Sequence, residues 1–240
     1  MSLAVTLHPF DEAEYLGWWV PVALGRLPLE HVIDDVSAEH GLVAVVREYG
    51  AQLPAALAAL RAGDGVPWSA TVNLGWALVN AWRHPSWFLG DLGLSYWRAA
   101  GECPFRPYTR SMSVLAARAR GVGAASCEVR EGFAGPHSAG SYVTPGDVYL
   151  LIRDIEKRPQ LFAERLQAAG YDAREALCVA LEAAHYARER HLGLIEATHL
   201  VDPASRTARY PLDHLRGGWR GGLNREVVSR VDEAFAREGV

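Results

Sequence analysis

Residues 144–202 carry the pattern that most restricts how this chain can fold. Thr144 can cap a helix through its hydroxyl group, Pro145 suits the first helical position, and Asp147 stands three residues after the cap. Apolar residues then follow at i, i+3, i+4 and i+7, which is the spacing of one buried helical face: Val148, Leu151, Ile152 and Ile155. The pattern predicts a helix packed against a core.

The same stretch predicts three more elements. A short helix covers residues 160–169. Asp172 and Glu175 have the spacing of a capping box, so they mark the start of a longer helix that runs to about His191. Residues 192–201 then predict a strand. Together these elements define a local architecture without indicating a function.

The rest of the chain predicts an α+β fold, a single helix-rich domain with a small mixed or antiparallel sheet. Alternating or β-branched runs predict its strands, near 2–8, 42–47, 125–131 and 192–201. Residues 84–107 are predicted to be irregular, because glycine and proline recur there. The weakest points for a domain boundary are 101–110 and 132–141, but neither has the composition of a linker. We therefore expect residues 1–240 to form one domain.

Composition is that of a soluble globular protein and argues against several functions. Hydrophobic residues make up 50% of the chain and charged residues 22%, which is ordinary. The net charge of −4 argues against nucleic acid as a partner, because phosphate binding needs a cationic surface. No run approaches the roughly 18 apolar residues of a membrane helix, and residues 1–20 lack the basic start of a signal peptide. We expect a soluble bacterial protein without a membrane partner.

The three cysteines indicate a reducing compartment. Cys103, Cys127 and Cys178 are odd in number and far apart, and no Cys-x-x-Cys pair occurs. This pattern supports neither a disulfide framework nor a cysteine zinc site. We therefore expect the protein to be cytoplasmic.

A candidate metal site lies on the long helix that follows Asp172. Glu182, His185 and Glu189 project from one helical face, and Glu-x-x-His is the spacing used by di-iron carboxylate bundles. Such bundles need two copies of the motif, and this chain has one. The alternative is a solvated face whose glutamates pair with Arg188 or Arg190. The cofactor, if there is one, is not identified.

A candidate catalytic site combines His137 with Glu182 and His185. His137 lies in a loop rich in glycine and proline, and loops on rigid elements often carry catalytic groups. No Gly-x-Ser-x-Gly elbow, Walker A sequence or His-Glu-x-x-His motif occurs. Catalytic groups need to converge only in space, so an enzyme with Arg106 or Arg110 holding an anion stays open. An ordinary turn is the alternative for His137.

Five of the eight tryptophans fall within residues 68–97, the strongest compositional signal in the chain. Helical spacing favours a core position for Trp76 and Trp82. Aromatic and arginine side chains in irregular sequence are typical of contact surfaces. We therefore predict ligand or partner contacts at Trp87, Phe88, Tyr96, Trp97, Arg98, Arg106, Tyr108 and Arg110.

Two functions from different classes follow from these residues. The first is a non-catalytic recognition protein that binds a protein partner or a small ligand through a Trp- and Arg-rich surface. The second is an enzyme, such as a metal-dependent hydrolase or an oxidoreductase, with a site assembled from dispersed His, Glu and Arg residues. The exposure of the tryptophans and the convergence of His137 with His185 distinguish the two.

Overall fold

The structure, a computed structural model, describes most of the chain but not all of it. The described residues are 4–28, 72–90, 103–120, 140–208, 210 and 212–237, with 55, 58 and 62. The strands predicted near 42–47 and 125–131 lie outside them. Within them the α+β prediction is confirmed, and the single-domain organisation of the chain stays a prediction.

Eight strands occur in the described part of the chain. In chain order they are β1 (Val5–Phe10), β2 (Ser86–Gly90), β3 (Arg110–Ser111), β4 (Ser141–Val143), β5 (Gly193–Thr198), β6 (Val201–Asp202), β7 (Thr207–Ala208) and β8 (Leu215–Arg216). Six of them form the central sheet, in the order β3-β4-β5-β1-β2-β8, and β6 pairs with β7 separately. The central sheet is mixed, because β2 and β8 run parallel whereas the other neighbours are antiparallel.

In the described residues, helices account for the rest of the regular structure, apart from three short 3-10 turns at Arg106–Tyr108, Leu212–His214 and Gly218–Arg220. The first, α1, spans 12–23 and changes type along its length: α-helical over Glu12–Glu14, π-helical over Tyr15–Trp19 and α-helical over Val20–Ala23. The others are α2 (Leu74–Arg83), α3 (Met112–Arg120), α4 (Pro145–Lys157), α5 (Pro159–Ala168), α6 (Ala173–Glu189) and α7 (Arg225–Arg237). No helix in the described ranges is long and apolar enough to cross a membrane.

The helices form a core on each face of the central sheet. On one face, α4 and α6 pack on the sheet and α5 and α7 pack against α6, around side chains such as Leu7 and Leu194. On the other face, α1, α2 and α3 surround Phe10 and Ile195. Leu7 and Phe10 lie on opposite faces because successive side chains of a strand alternate.

The helix starts predicted from capping residues are confirmed. The Thr144 hydroxyl accepts a hydrogen bond from the backbone N–H of Asp147 at 3.1 Å, and α4 begins at Pro145, directly after Thr144. The Asp172 carboxylate accepts the backbone N–H of Glu175 at 3.0 Å, at the start of α6. Each cap satisfies a donor that the first turn of a helix leaves unpaired.

The predicted strand bounds are only partly right. The first strand continues beyond residue 8, through Pro9 to Phe10. A proline is tolerated there because pairing between β1 and β2 ends at Leu7, which leaves Pro9 outside the ladder on that side. The strand predicted over 192–201 ends at Thr198, because His199 turns the backbone with a φ of 57°.

The prediction that residues 84–107 are irregular is wrong at β2. The strand sequence Ser-Trp-Phe-Leu-Gly is buried or half-buried throughout, since β2 lies inside the sheet and is covered on both faces. A strand covered on both faces lacks the alternation of polar and apolar residues by which strands are recognised. β2 places Trp87 and Phe88 on opposite faces of the sheet.

Candidate functional site

A cavity of about 350 Å³ lies between α4, α6 and α7. Apolar side chains from the three helices form its floor: Ile155, Leu177, Leu181, Val227 and Val231. Leu177 and Leu181 are four residues apart on α6, as are Val227 and Val231 on α7. Residues at that spacing lie on one side of a helix, so each helix presents an apolar stripe to the cavity.

Polar side chains stand at the rim of this cavity, with His185 the most buried of those that carry ion-pair contacts. Its side chain is 14% exposed, and its Nε2 lies 3.5 Å from Oε1 of Glu156. The same Glu156 oxygen lies 3.8 Å from Nη1 of Arg230. The rim therefore places a histidine and a guanidinium group within ion-pair reach of the same carboxylate oxygen.

Arg188 determines which nitrogen of His185 carries the proton. The Arg188 guanidinium donates to Nδ1 of His185 at 2.9 Å. A guanidinium group can only donate, so Nδ1 acts as the acceptor and the N–H of the neutral ring is at Nε2, facing Glu156. Burial lowers the pKa of His185, and the positive charge of Arg188 lowers it further. His185 is therefore neutral at pH 7.

Glu182 has a different set of partners from His185. Its carboxylate accepts the indole N–H of Trp87 at 3.2 Å and the backbone N–H of Asn224, and it lies 3.8 Å from Nε of Arg216. Residues three apart on a helix project about 60° apart around its axis. Glu182 turns toward β2, β8 and the start of α7, whereas His185 turns toward α4.

The structure does not bring Glu182, His185 and Glu189 together as a metal site. Glu189 has a side chain 64% exposed and lies 3.5 Å from Arg190 at the end of α6. No group of three His, Cys, Asp or Glu side chains suitable for a metal ion occurs among the described residues. The pairing of Glu189 with Arg190 matches the alternative predicted for this helix face.

Trp87 is not the exposed contact residue that its sequence context predicts. It is only 1% exposed, packs beside α6 and donates its indole N–H to Glu182. Tyr108 is also buried, and its hydroxyl donates to Asp154 at 2.8 Å. Both side chains stabilise the face of the sheet that carries α4 and α6. The exposure predicted for Trp87 is therefore wrong.

The other predicted contact residues do not share one described surface. Phe88 is half-buried on the opposite face of the sheet from Trp87. Arg106 is exposed, and Arg110 forms an ion pair with Asp147 at 2.8 Å. The remaining predicted site residues lie outside the described residues: Tyr96, Trp97, Arg98 and His137.

Sequence patterns did not single out Glu156 or Arg230. Both are charged residues on amphipathic helices, where such residues normally face solvent. Their adjacency comes from the packing of α4 and α7 around α6, which joins segments about 70 residues apart in the chain. The only local sequence pattern that indicates this cavity is the apolar stripe of each helix.

Comparison of the chain with protein-family models, with curated proteins and with solved structures finds no match. The chemistry of the site therefore has to be inferred from its own geometry.

Proposed function

We propose that this protein is a non-catalytic binding protein and that the cavity between α4, α6 and α7 holds a small, mainly apolar molecule with an uncharged polar head group. The observation that carries the proposal is the cavity itself. Its volume of about 350 Å³ lies within the range of about 300–1,000 Å³ typical of small-molecule sites. Its apolar floor and few polar rim groups also match such sites.

The rim favours an uncharged head group. The rim carries two carboxylates, Glu156 and Glu233, whose charges are balanced by two guanidinium groups, Arg230 and Arg237. His185 is neutral. Each arginine already has a carboxylate partner, in Glu226 for Arg230 and in Glu233 for Arg237. An anionic ligand would therefore enter without a free guanidinium group among these residues, at a desolvation cost, and Glu156, the carboxylate that a cation would meet, already lies 3.8 Å from Arg230.

The hydrogen-bonding groups of the rim define the head group more closely. Nε2–H of His185 can donate, and the Glu156 carboxylate can accept. Their separation of 3.5 Å is longer than an ordinary hydrogen bond, so neither group is fully engaged by the other. A hydroxyl or a primary amide, which both donates and accepts, fits this pair.

The composition of the lining supports binding rather than catalysis. The described residues that line the cavity include no Ser, Thr, Cys or Lys, the side chains most used as nucleophiles. Glu182, the predicted partner of His185 in catalysis, is held by Trp87 and Asn224 instead. The recognition function predicted from sequence is thus proposed at a different place, on the three helices.

Binding can be tested by calorimetric titration of the full chain with three eight-carbon probes. We expect 1-octanol and octanamide to bind with a Kd on the order of 0.01–0.1 mM, and octanoate to bind at least tenfold more weakly. Bound probes should also raise the melting temperature. If no probe binds, the proposed function is wrong. If octanoate binds best, the inferred uncharged head group is wrong, but the cavity still stands as the binding site.

A matched pair of variants on α7 locates the binding site. Ala234 lines the cavity, whereas Ala236 is exposed on the same helix. Ala234→Leu fills part of the cavity and should weaken octanol binding about tenfold or more, whereas Ala236→Leu should leave it unchanged. Equal affinities of both variants and the wild type would place the probe elsewhere.

A further inference from the structure

A second polar group lines the cavity between α4, α6 and α7, apart from His185 and Glu156. Glu233 and Arg237 lie one turn apart on α7, with 3.3 Å between Oε2 of Glu233 and Nη2 of Arg237. Their side chains are 60% and 77% exposed, whereas that of His185 is 14% exposed. We call His185 with Glu156 the inner polar end of the cavity, and Glu233 with Arg237 the outer polar end.

The two polar ends lie far apart along the cavity, because α6 and α7 run antiparallel. Glu182, toward the end of α6, accepts the backbone N–H of Asn224 directly before α7. Arg174, in the first turn of α6, donates to Asp232 in the second half of α7 at 2.8 Å. The inner polar end is therefore level with the start of α7, and the outer polar end is level with the start of α6.

The cavity between these ends is long and narrow. The α7 residues that line it run from Val227 to Arg237, over which the helix rises about 15 Å. A volume of about 350 Å³ spread over that length leaves a width of roughly 5 Å. The side chains between the two ends are apolar, among them Leu181 and Val231. This shape suits one extended apolar chain.

We propose that the ligand is a linear molecule with an uncharged polar group at each end of an apolar chain. The inference rests on the proposed function and specifies the ligand class of that same site. One end group binds at the inner polar end, as argued above. The other is a hydroxyl or a similar group, which can donate to Glu233 and accept from Arg237.

The chemistry of the outer polar end favours such a group over a plain alkyl terminus. A methyl group placed against Glu233 and Arg237 displaces water from two charged side chains without replacing its hydrogen bonds. A hydroxyl group replaces them, and the exposure of both side chains keeps its desolvation small. A ligand with two polar ends therefore satisfies both ends of the cavity.

Calorimetric titration of the full chain with alcohols and α,ω-diols tests the inference. 1-Hexanol, 1-octanol and 1-decanol are each compared with the diol of the same length: 1,6-hexanediol, 1,8-octanediol and 1,10-decanediol. We expect at least one diol to bind about threefold or more tightly than its alcohol, because it gains a hydrogen bond at the outer polar end. In a site with one polar end, the second hydroxyl would enter apolar surroundings and every diol would bind more weakly.

The outcomes separate this inference from the proposed function. If the alcohols bind and no diol binds more tightly than its alcohol, the inference is overturned and the proposed function is kept. If neither alcohols nor diols bind, the proposed function is wrong and the inference is wrong with it.

A charge-neutral double variant locates the second end group. Glu233→Leu combined with Arg237→Leu removes the outer polar end and should abolish the advantage of the diol over the alcohol. Glu189→Leu combined with Arg190→Leu is the matched control, because it removes an exposed ion pair of 3.5 Å whose residues do not line the cavity. The control should keep the advantage of the diol. An advantage that persists without Glu233 and Arg237 would contradict the inference.

Discussion

The indole N–H of Trp87 donates to the carboxylate of Glu182 at 3.2 Å, and this contact joins strand β2 to helix α6 inside the protein. The second carboxylate oxygen of Glu182 accepts the backbone N–H of Asn224, just before α7. One side chain thus connects three elements that are distant in sequence. Glu182 is therefore expected to contribute to stability.

Replacing Glu182 should destabilise the fold. Glu182→Ala leaves the buried indole N–H of Trp87 unpaired and removes the acceptor of the Asn224 N–H at the edge of the protein. A buried donor without a partner costs about 1–3 kcal/mol, so we expect a loss of about 1–3 kcal/mol in the free energy of unfolding. Urea denaturation followed by tryptophan fluorescence measures it. Glu189→Ala on the same helix is the control, with an expected change within about 0.5 kcal/mol because its side chain is exposed. Equal effects of the two changes would contradict a structural role for Glu182.

Acid should destabilise the protein through His8. The unfolded chain takes up a proton at His8 below the ordinary pKa of 6.5, whereas the folded chain stays neutral there down to a pKa of about 3. Stability is therefore full above pH 6.5 and is lost as the pH falls. Between pH 6.5 and about pH 5 we expect His8 to account for a loss of roughly 2 kcal/mol.

The variant His8→Gln separates this effect from other titrating groups. It removes the titration at His8, so the variant should lose less stability than the wild type over the same pH range. Urea denaturation at three pH values gives the comparison. Parallel losses in the two proteins would show that His8 is not buried in its neutral form.

The charge of Arg188 should hold the pKa of His185 down. Arg188→Leu removes both the positive charge and the donor to Nδ1, so the pKa of His185 should rise. Histidine NMR titration measures the shift. Arg190→Leu is the matched control, because Arg190 lies over the ring of Tyr186, 3.7 Å from its centroid, and does not contact His185. An unchanged pKa of His185 in Arg188→Leu would contradict the contact between Arg188 and His185.

Gly193 is required where β4 and β5 approach each other. A Cβ atom at Gly193 would overlap the backbone carbonyl oxygen of Val143. Gly193→Ala must therefore push the strands apart, at an expected cost of about 3 kcal/mol in the free energy of unfolding. Gly146→Ala is the control, since its nearest neighbour would be the Thr144 hydroxyl at an ordinary 3.8 Å. Thermal and urea denaturation of both variants test the difference, and similar stabilities would rule out the close approach.

Sequence predicted the elements that local interactions determine. Thr144 and Asp172 cap their helices through backbone groups only three residues away, so the signal is contained in a few neighbouring positions. The apolar stripe of α4 is equally local. The α+β class followed from such elements, because helices and strands can be counted without knowing their partners.

The site could not be predicted in the same way. Trp87 is buried because α6 covers β2, and its own neighbours in sequence do not reveal that contact. Glu182 and His185 share a spacing typical of metal ligands, yet their partners come from distant elements on different sides of α6. The roles of these side chains depend on tertiary contacts that no local pattern encodes.

The π-helical turn over Tyr15–Trp19 lets α1 hold one residue more than an α-helix of the same span. The widened turn absorbs that residue locally, so the α-helical turns on either side keep nearly the alignment of an uninterrupted α-helix. Tyr15 and Trp19, at the two ends of the turn, both stay buried, and the Trp19 indole N–H donates to the carbonyl oxygen of Val72 at 2.7 Å. The extra residue therefore lengthens α1 without changing the sides that the helix presents to the core.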